Sequence, residues 1–421
     1  MNIPATKAKR VVIIGGGFGG LNLAKGLRNK GFQVVLLDRH NYHAFQPLFY
    51  QVATAGLEPG SIAYPFRKIF SKYHNYFFRM ANVLRIDTAA HTVNTDIGTL
   101  PYDYLVIATG ATTNFFGNKQ LEQLCMPMKT VAEALDIRSL MLQNLEKALL
   151  TTNVDDKDSL MGIVIVGGGP TGVELAGALA ELKKDILPND YPDLDMRVMD
   201  IHLLDSNDRL LKAMSEKSSA KAQEALSEMG VDIRLGTRVT DYDGQKITTK
   251  SGEKFRAAMV IWAAGVKAAF PDGLPAEAIA SGRILVDQFN RIKGTENIFA
   301  IGDCAAMITE ANPLGHPMMA QPALQQGARL ADNLARFDQG KQPEPFSYRN
   351  LGAMATIGRN KAVTELPNLK LYGWIAWVAW LFVHVAKLIG FRNKIVVLIN
   401  WAQNYLSHSR DLRLIIRPFK R

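Results

Sequence analysis

The chain has very little cysteine. Only Cys125 and Cys304 occur among 421 residues, far apart and in no CxxC motif. This scarcity argues against disulfide bridges, zinc sites and iron–sulfur clusters, and it favours a reducing compartment. We therefore expect no metal site. The composition, 48% apolar and 21% charged, is that of a globular protein, and the length favours two or three domains.

Acidic residues are scarce at the C-terminal end. From Lys387 to Arg421 there are eight Lys or Arg against one acid, Asp411, so this segment carries +7 of the formal net charge of +10. It directly follows an apolar segment, and no RNA- or DNA-binding module is visible upstream. An anionic membrane surface is therefore favoured over nucleic acid as its partner. The short basic N-terminus leads straight into an apolar strand, so no signal peptide is expected.

Residues 11–38, VVIIGGGFGGLNLAKGLRNKGFQVVLLD, predict a complete βαβ unit. Gly15, Gly17 and Gly20 fit GxGxxG: the first makes a tight turn, the second lets backbone approach a pyrophosphate, and the third allows close helix–strand packing. Asp38 ends the second strand, where a carboxylate can accept the ribose hydroxyls of an adenosine. The loop 39–64 that follows is long and rich in aromatic, histidine and amide side chains, as is typical of ligand-binding loops.

The same pattern occurs a second time. A strand at 163–166 precedes Gly167, Gly169 and Gly172, a helix reaches about 187, and the next strand ends at Asp205. Two fingerprints predict two bound dinucleotides. A helix at 133–150 and a polar linker at 155–159 are predicted between the two units.

Two further strand ends carry residues suited to a cofactor. The strand YLVIATG, residues 104–110, ends in small residues that let backbone approach a ligand closely. A strand at 298–301 ends at Gly302 and Asp303, where an Asp can accept a hydrogen bond from a ribityl hydroxyl.

Residues 371–390, LYGWIAWVAWLFVHVAKLIG, are almost wholly apolar and long enough to span a membrane. His384 and Lys387 lie within this segment, however, and a second segment at 395–406 carries Asn400, Gln403 and Asn404 on one side. We therefore favour a monotopic helical anchor, with one face on the protein and the other in lipid. A transmembrane span and a buried core or dimer helix are the alternatives.

Several motifs together resemble the type II NADH:quinone oxidoreductases, which are similar to glutathione-reductase-like flavoproteins. They are GGGFGGL at 15–21, NYHAFQPLFYQVAT at 41–54, VIATGA at 106–111, GGGPTGVELAG at 167–177, WAAGV at 262–266, IFAIGDCA at 298–305 and AQPALQQG at 320–327. The resemblance covers nearly the whole chain. It implies an α/β fold with two Rossmann-like dinucleotide-binding domains and a C-terminal helical membrane-anchoring region.

By this resemblance the first site holds FAD and the second binds NADH as substrate. The implied FAD contacts are Gly15, Gly17, Phe18, Gly19, Gly20, Asp38, Arg39, Val83, Ala108, Thr109, Gly110, Gly302, Asp303, Ala320 and Gln321. The implied NADH contacts are Gly167, Gly169, Pro170, Thr171, Gly172, Glu174, Asp205 and Gly265.

The expected domains are residues 1–125 and 287–345 for FAD, 126–286 for NADH, and 346–421 for the anchor and a dimer contact. The function implied is a respiratory-chain NADH:quinone oxidoreductase that does not pump protons. It would act as a homodimer, peripheral on the cytoplasmic face of the cell membrane. Disulfide reductases and sulfide:quinone oxidoreductases lack support because loop 39–64 has no cysteine pair. A ferredoxin reductase and a non-catalytic NADH-sensing membrane adaptor remain as alternatives.

Three polar side chains have predicted catalytic roles. Pro322 suits the first turn of a helix, so Gln321 and Gln325 would project from one face as neutral donors to quinone carbonyls, whereas Gln326 would point elsewhere. Glu174, expected in the first turn of the helix after the second glycine motif, would face the nicotinamide. Asp38 and Asp205 would both repel a 2′-phosphate, which predicts NADH rather than NADPH.

Overall fold

The computed structural model describes residues 1–310, 312–407, 410 and 412–420. The chain forms two compact units. Unit 1 comprises Met1–His43, Tyr64–Thr112 and Val266–Asn350, and unit 2 comprises Ala44–Ala63, Thr113–Gly265 and Leu351–Arg421. The four domain ranges of the sequence analysis stay a prediction.

The β-strands and α-helices have the following bounds. The strands are β1 Arg10–Ile14, β2 Gln33–Asp38, β3 Tyr42–Ala44, β4 Ala63–Pro65, β5 Tyr76–Met80, β6 Val83–Asp87, β7 Thr92–Thr95, β8 Gly98–Pro101, β9 Tyr104–Ile107, β10 Ala111–Thr113, β11 Met126–Pro127, β12 Ile163–Val166, β13 Ile201–Leu204, β14 Asp232–Arg234, β15 Val239–Tyr242, β16 Lys246–Thr249, β17 Lys254–Arg256, β18 Met259–Trp262, β19 Val266–Ala268, β20 Ile279–Ala280, β21 Arg283–Leu285, β22 Ile298–Ala300, β23 Ala305–Ala306, β24 Ala353–Gly358, β25 Lys361–Leu366 and β26 Leu369–Tyr372. The α-helices are α1 Phe18–Gly26, α2 Phe49–Ala53, α3 Pro59–Ile62, α4 Phe66–Ile69, α5 Lys119–Leu124, α6 Val131–Leu150, α7 Val154–Met161, α8 Pro170–Glu181, α9 Leu187–Asp190, α10 Glu216–Glu228, α11 Ala320–Asp338, α12 Gly373–Lys387 and α13 Phe391–Ser407.

Unit 1 is built on a five-stranded sheet in the order β22-β9-β1-β2-β5. All four pairings are parallel. The β-branched and leucine-rich runs of β1, β2 and β9 are buried on both faces, as parallel strands require. Helices α1 and α11 cross closely because Gly327 faces the Gly19 carbonyl, where a Cβ would lie only 2.5 Å from that oxygen. This sheet confirms the first predicted Rossmann-like domain.

Unit 2 contains the second sheet, in the order β11-β18-β12-β13-β14 and again parallel throughout. The C-terminal strands β24, β25 and β26 form an antiparallel sheet that packs on α8. Gly177 makes this packing possible, because a Cβ there would overlap the carbonyl oxygen of Ile357. The five-stranded parallel sheet of unit 2 confirms the second Rossmann-like domain.

One predicted linker is a helix. Residues 155–159 lie in α7, and Asn153 caps the N-terminus of this helix. The side-chain oxygen of Asn153 accepts a hydrogen bond from the backbone N–H of Asp156 at 3.2 Å. Asp155 and Asp156 in the first turn add a favourable interaction with the helix dipole. The polar composition that indicated a loop is therefore the composition of a helix start.

Candidate functional site

The first glycine turn leads from β1 into α1. Gly15 has a φ of +100°, and a Cβ there would overlap the carbonyl oxygen of Ala108. A Cβ on Gly20 would overlap the carbonyl oxygen of Gly15, so only glycine lets the helix lie this close to the strand. Gly17 has open space around its Cβ position, which leaves its backbone accessible at the helix N-terminus. This arrangement fits the pyrophosphate of a bound FAD.

Asp38 closes the first turn from the end of β2. Its Oδ2 accepts a hydrogen bond from the backbone N–H of Gly16 at 2.6 Å, and its Oδ1 accepts from the backbone N–H of His40 at 2.8 Å. The carboxylate therefore holds the turn and, because its side chain keeps 18% exposure, still has a surface for a ribose.

His43 supports the same turn and was not among the predicted site residues. It is buried, and its Nδ1 lies 2.9 Å from the Gly16 carbonyl oxygen. Burial lowers the pKa of His43 to about 4, so the ring is neutral and Nδ1 donates to that oxygen. The only signal in the sequence was its place in the loop after Asp38, which does not reveal the contact with Gly16.

The remaining predicted FAD contacts also belong to unit 1. Gly110 and Gly302 have φ values of +70° and +76°, and each follows a strand of the sheet. The N–H of Gly302 donates to the side-chain oxygen of Gln326 at 2.7 Å. The other contacts are Phe18 and Gly19 at the start of α1, Arg39 after β2, Val83 in β6, Ala108 and Thr109 after β9, Asp303 after Gly302, and Ala320 and Gln321 at the start of α11.

The second glycine turn, in unit 2, has the same construction. Gly167 has a φ of +117°, Gly169 has open space at its Cβ position, and a Cβ on Gly172 would overlap the carbonyl oxygen of Gly167. Asp205 accepts hydrogen bonds from the backbone N–H of Gly168 and from the N–H and side-chain amide of Asn207, the last two at 2.8 and 2.9 Å. Pro170 and Thr171 begin α8 at this turn, and Gly265, with a φ of +81°, follows β18.

Glu174 is the fifth residue of α8, so the expectation that it lies in the first turn is wrong, because the helix begins at Pro170. Its side chain is buried, and Oε1 accepts from the backbone N–H of Thr356 at 3.4 Å. Burial raises the pKa of the carboxyl to about 8, and the Thr356 N–H and Trp380 oppose part of this rise. The indole Nε1 of Trp380 nevertheless has no hydrogen bond of normal geometry among the described residues. At neutral pH Glu174 is therefore mostly protonated and uncharged.

A cavity of about 870 Å³, including its open mouth, lies within unit 2 beside Glu174. Its walls come from α2, α8, the β24–β25 hairpin, α12 and α13. One wall is aromatic, with Trp377, Trp380 and Trp401. The facing wall carries Glu174 and Glu181, seven residues apart on one face of α8. The cavity therefore combines an apolar side with a few polar groups, as ligand sites do.

A chain of hydrogen bonds crosses one end of this cavity. The indole N–H of Trp401 donates to the side-chain oxygen of Gln51 at 2.7 Å, and the Gln51 amide donates to the hydroxyl of Tyr50 at 2.7 Å. Both Tyr50 and Gln51 belong to the FQPLFYQVAT motif in α2. The chain therefore fixes α13 to α2 through polar contacts.

The three glutamines of AQPALQQG have different environments. Helix α11 begins at Ala320, which confirms Pro322 in the first turn. The side-chain amide of Gln325 forms two hydrogen bonds with the backbone of Arg349. Its oxygen accepts from the Arg349 N–H at 3.0 Å, and its nitrogen donates to the Arg349 carbonyl oxygen at 2.9 Å. Gln326 is buried and accepts from Gly302, which confirms that it points elsewhere. The side chain of Gln321 is partly exposed and makes no hydrogen bond within the described part of the chain.

Helix α12 is amphipathic with its polar group inward. Ala376, Trp380 and His384, at intervals of four residues, are buried. His384 Nδ1 lies 2.7 Å from the Trp380 carbonyl oxygen, and burial lowers the pKa of His384 to about 4, so the ring is neutral. The side chains on the outer face are instead exposed and apolar: Trp374, Ile375, Val378 and Phe382.

Helix α13 follows the same rule. Its inner face carries Asn393 and Asn404, whose amides donate at 3.0 Å to the carbonyl oxygens of Ala63 and Gly56, with Trp401 and the buried Val397 between them. Its outer face exposes Phe391, Ile395, Leu398, Ile399 and Leu406. Within the described ranges, no helix has the length and apolar character needed to cross a bilayer.

Three arginines of the basic C-terminal segment form ion pairs with the protein itself and are not available to lipid headgroups. Arg410 pairs with Glu181 at 2.8 Å, Arg413 with Asp190 at 2.9 Å, and Arg417 with Asp136 at 2.6 Å, all within unit 2. The expectation that the arginines meet anionic headgroups is therefore corrected for these three. Asp411 and Arg421 lie outside the described residues.

Comparisons with known proteins agree with this geometry. Residues 9–327 match the family Pyridine nucleotide-disulphide oxidoreductase, and residues 350–411 match the NDH2 C-terminal domain. The type II NADH:quinone oxidoreductase Ndh of Mycobacterium tuberculosis is 36% identical over 417 residues, covering 95% of this chain and 89% of the relative. The type II NADH:quinone oxidoreductase of Haemophilus influenzae is 31% identical over 392 residues, covering 86% and 87%.

The fold is similar to that of solved structures. NDH2 from Plasmodium falciparum in complex with NADH has a TM-score of 0.89 at 20% identity, covering 98% of this chain and all of that one. The sulfide:quinone oxidoreductase of Aquifex aeolicus has a TM-score of 0.71 at 20% identity, covering 95% of each. With both glycine turns, the C-terminal helices and relatives matched over most of their length, the chain belongs to the family of type II NADH:quinone oxidoreductases.

Proposed function

We propose that the cavity of unit 2 receives the quinone and that the outer faces of α12 and α13 attach the chain to a membrane. The chain is an NADH:quinone oxidoreductase with FAD as its cofactor. One observation carries the proposal: α12 and α13 both line the cavity with inner side chains and expose apolar side chains outward. A quinone dissolved in lipid would therefore meet the same two helices that enclose the cavity.

Bound FAD would supply the two-electron redox chemistry that links NADH to the quinone. The residues of the chain bind and orient the reactants. The first glycine turn and Asp38 hold the FAD pyrophosphate and ribose, and the second glycine turn with Asp205 holds those of NADH. Asp205 also disfavours the 2′-phosphate of NADPH by charge repulsion.

The polar groups of the cavity suit a neutral quinone. Glu174 is protonated at neutral pH, so its carboxyl can donate a hydrogen bond without placing a charge beside the apolar wall. The indole N–H of Trp380 is buried and makes no hydrogen bond of normal geometry in the described part of the chain, so a quinone carbonyl would satisfy it. In unit 1, Gln321 stays a predicted hydrogen-bond donor to a quinone carbonyl. Gln325 is the weaker candidate, because both ends of its amide already bind Arg349.

The attachment we propose is monotopic and on the cytoplasmic face of the cell membrane. Phe382 is 75% exposed and Leu406 79%, which is unfavourable in water and favourable in the acyl boundary of a bilayer. Arg392 and Lys394, beside the exposed Phe391 at the start of α13, suit anionic headgroups. The homodimer implied by the family resemblance stays a prediction.

The quinone site is tested by separating the two half-reactions in stopped flow. Trp380→Phe retains an aromatic ring and removes the indole N–H. We expect flavin reduction by NADH to stay unchanged while flavin reoxidation by a short-tailed benzoquinone slows. Gln321→Ala has the same signature, and Gln325→Ala serves as the matched control with a smaller effect on reoxidation. Equal loss of FAD in all three variants would show that the site is misplaced. Steady NADH turnover by the unmodified protein excludes a non-catalytic adaptor.

Membrane attachment is tested by flotation with vesicles that contain anionic lipid. Phe382→Asp reduces the bound fraction, because a charge enters the acyl boundary. Leu150→Asp is the control, since Leu150 is 86% exposed on α6 and has no role in the proposed anchor. Equal binding by both variants would contradict attachment through α12.

A further inference from the structure

The C-terminal tail, residues 410 and 412–420, follows the surface of unit 2 as an ordered strap. Arg413 pairs with Asp190 at the end of α9, and Arg417 pairs with Asp136 on α6. The backbone of Phe419 forms two hydrogen bonds with the Gln143 amide, at 2.8 and 3.3 Å. Three of the eight basic residues that the sequence analysis assigned to a lipid surface thus bind the tail to its own unit.

Arg410 has the most enclosed position on this strap. Its side chain is 12% exposed, and Nη2 donates to Glu181 at 2.8 Å. Nη1 donates to the carbonyl oxygens of Thr54 and Ala178, both at 3.2 Å. One guanidinium therefore joins the end of α2, the last turns of α8 and the C-terminal tail, and all four of these residues line the cavity.

We propose that Arg410 is a positioning residue for the quinone cavity, so that the C-terminal tail sets the affinity for quinone. The inference rests on the proposed function of the cavity. Its physical basis is that Arg410 ties α2, which carries Tyr50 and Gln51, to α8, which carries Glu174. These two helices pack against each other and both line the cavity. A planar guanidinium with a carboxylate and two carbonyl partners fixes their spacing.

A second contribution is electrostatic. Glu181 lines the cavity, and without Arg410 its carboxylate would lose its ion pair and keep the hydrogen bond from the backbone N–H of Arg359. A fixed negative charge on the wall would favour water over a neutral apolar ligand. The ion pair neutralises that charge, so it also keeps the cavity suited to a quinone.

Arg417 provides a matched comparison on the same tail. It forms one ion pair, with Asp136, and its side chain is 71% exposed. It is not among the residues that line the cavity. If the arginines only attached the tail to unit 2, Arg410→Gln and Arg417→Gln would change the affinity for quinone to a similar extent.

The experiment uses the full-length holoenzyme and a short-tailed benzoquinone. Binding is measured without turnover by quenching of tryptophan fluorescence, since three of the five tryptophans line the cavity. Arg410→Gln is expected to weaken binding and raise the quinone KM by roughly tenfold, as loss of a charge-assisted contact predicts. Its kcat changes less than twofold, and NADH reduces its flavin at the normal rate. Arg417→Gln matches the unmodified protein.

Two further variants keep the result interpretable if Arg410→Gln does not fold. Glu181→Gln removes the other member of the pair, and Arg410→Lys retains the charge but not the planar donor set, so it restores part of the affinity. Equal quinone binding by Arg410→Gln and Arg417→Gln would overturn the inference, as would a loss confined to FAD content. If the unmodified protein does not bind the benzoquinone in the quenching assay, the proposed cavity itself fails, which is a different outcome.

Discussion

The two glycine turns have the same glycine spacing and are closed in different ways. A Cβ on Gly16 of the first turn would overlap the ring of Phe66, whereas a Cβ on Gly168 of the second would lie 2.6 Å from both the Asp205 carboxylate and Leu210. In the first turn a separate aromatic side chain fills the space, and Asp38 keeps some exposure. In the second, Asp205 itself fills it, with 7% exposure. The same motif thus leaves its acid more available in one turn than in the other.

The helices after the turns differ at their fifth residue. In α1 this residue is Asn22, whose amide donates to the Leu324 carbonyl oxygen at 2.6 Å and so joins α1 to α11. In α8 it is Glu174, a buried carboxyl beside a cavity. A single position of the shared motif therefore has a structural task in the first unit and a chemical task in the second. The glycine pattern identifies both turns but does not distinguish these tasks.

The largest expected effect separates the two turns by cofactor. Gly20→Ala places a Cβ against the Gly15 carbonyl and should abolish FAD binding, read from the flavin absorbance of the purified protein. Gly172→Ala does the same in the second turn, so it should retain FAD but lose NADH binding, read from the rate of flavin reduction. Gly17→Ala and Gly169→Ala have open Cβ positions, so the fold should survive and any loss of cofactor would report the approach of the pyrophosphate alone. Loss of both cofactors in either variant would contradict the independence of the turns.

The second expected effect concerns Asp205 and Asp38 and the preference for NADH over NADPH. We expect kcat/KM for NADH to exceed that for NADPH by at least about tenfold, which corresponds to ~1.4 kcal/mol of charge repulsion. Asp205→Asn should lower kcat/KM for NADH, because the turn loses charge-assisted bonds to Gly168 and Asn207, while reducing the discrimination against NADPH. Asp38→Asn should leave that discrimination unchanged, because Asp38 belongs to the first turn, which is assigned to FAD, so the repulsion first expected from Asp38 would not act on NADPH. Similar kcat/KM values for the two nucleotides in the unmodified protein would refute the role of Asp205.

The third expected effect is a pH dependence of the free energy of unfolding that arises from Glu174. Its pKa is about 8 in the folded protein and near 4.5 in the unfolded chain, so the folded state binds one more proton between these values. Its contribution to stability is therefore complete below pH 4.5 and is lost as pH rises towards 8, with a slope of at most about 1.4 kcal/mol per pH unit. Glu174→Gln should flatten this slope in denaturant titrations at pH 5, 6.5 and 8. Asn22→Ala, at the matching position of α1, should shift stability equally at all three pH values.

Local patterns in the sequence predicted both sheets and both turns, because apolar runs and glycine spacing are determined by neighbours along the chain. They also indicated that α12 and α13 have two different faces. Contacts between distant residues were beyond such patterns. The spacing of Gln321 and Gln325 put both on one helix face, but the backbone of Arg349 that occupies Gln325 lies 24 residues further on. The basic tail had the composition of a lipid-binding segment, and only the positions of Asp190 and Glu181 reveal that it binds its own unit.

The inward-facing amide side chains of α13 bear on how the protein would attach to a membrane. Asn393, Trp401 and Asn404 fasten this helix to unit 2 by hydrogen bonds that form equally well before any lipid is present. If α12 and α13 attach the chain to a membrane as proposed, the anchor is complete at the end of folding, so attachment would follow synthesis as a separate docking event and need no insertion machinery. Detachment would likewise leave the helices in position, and detergent rather than salt should release the protein, because the outer face is apolar.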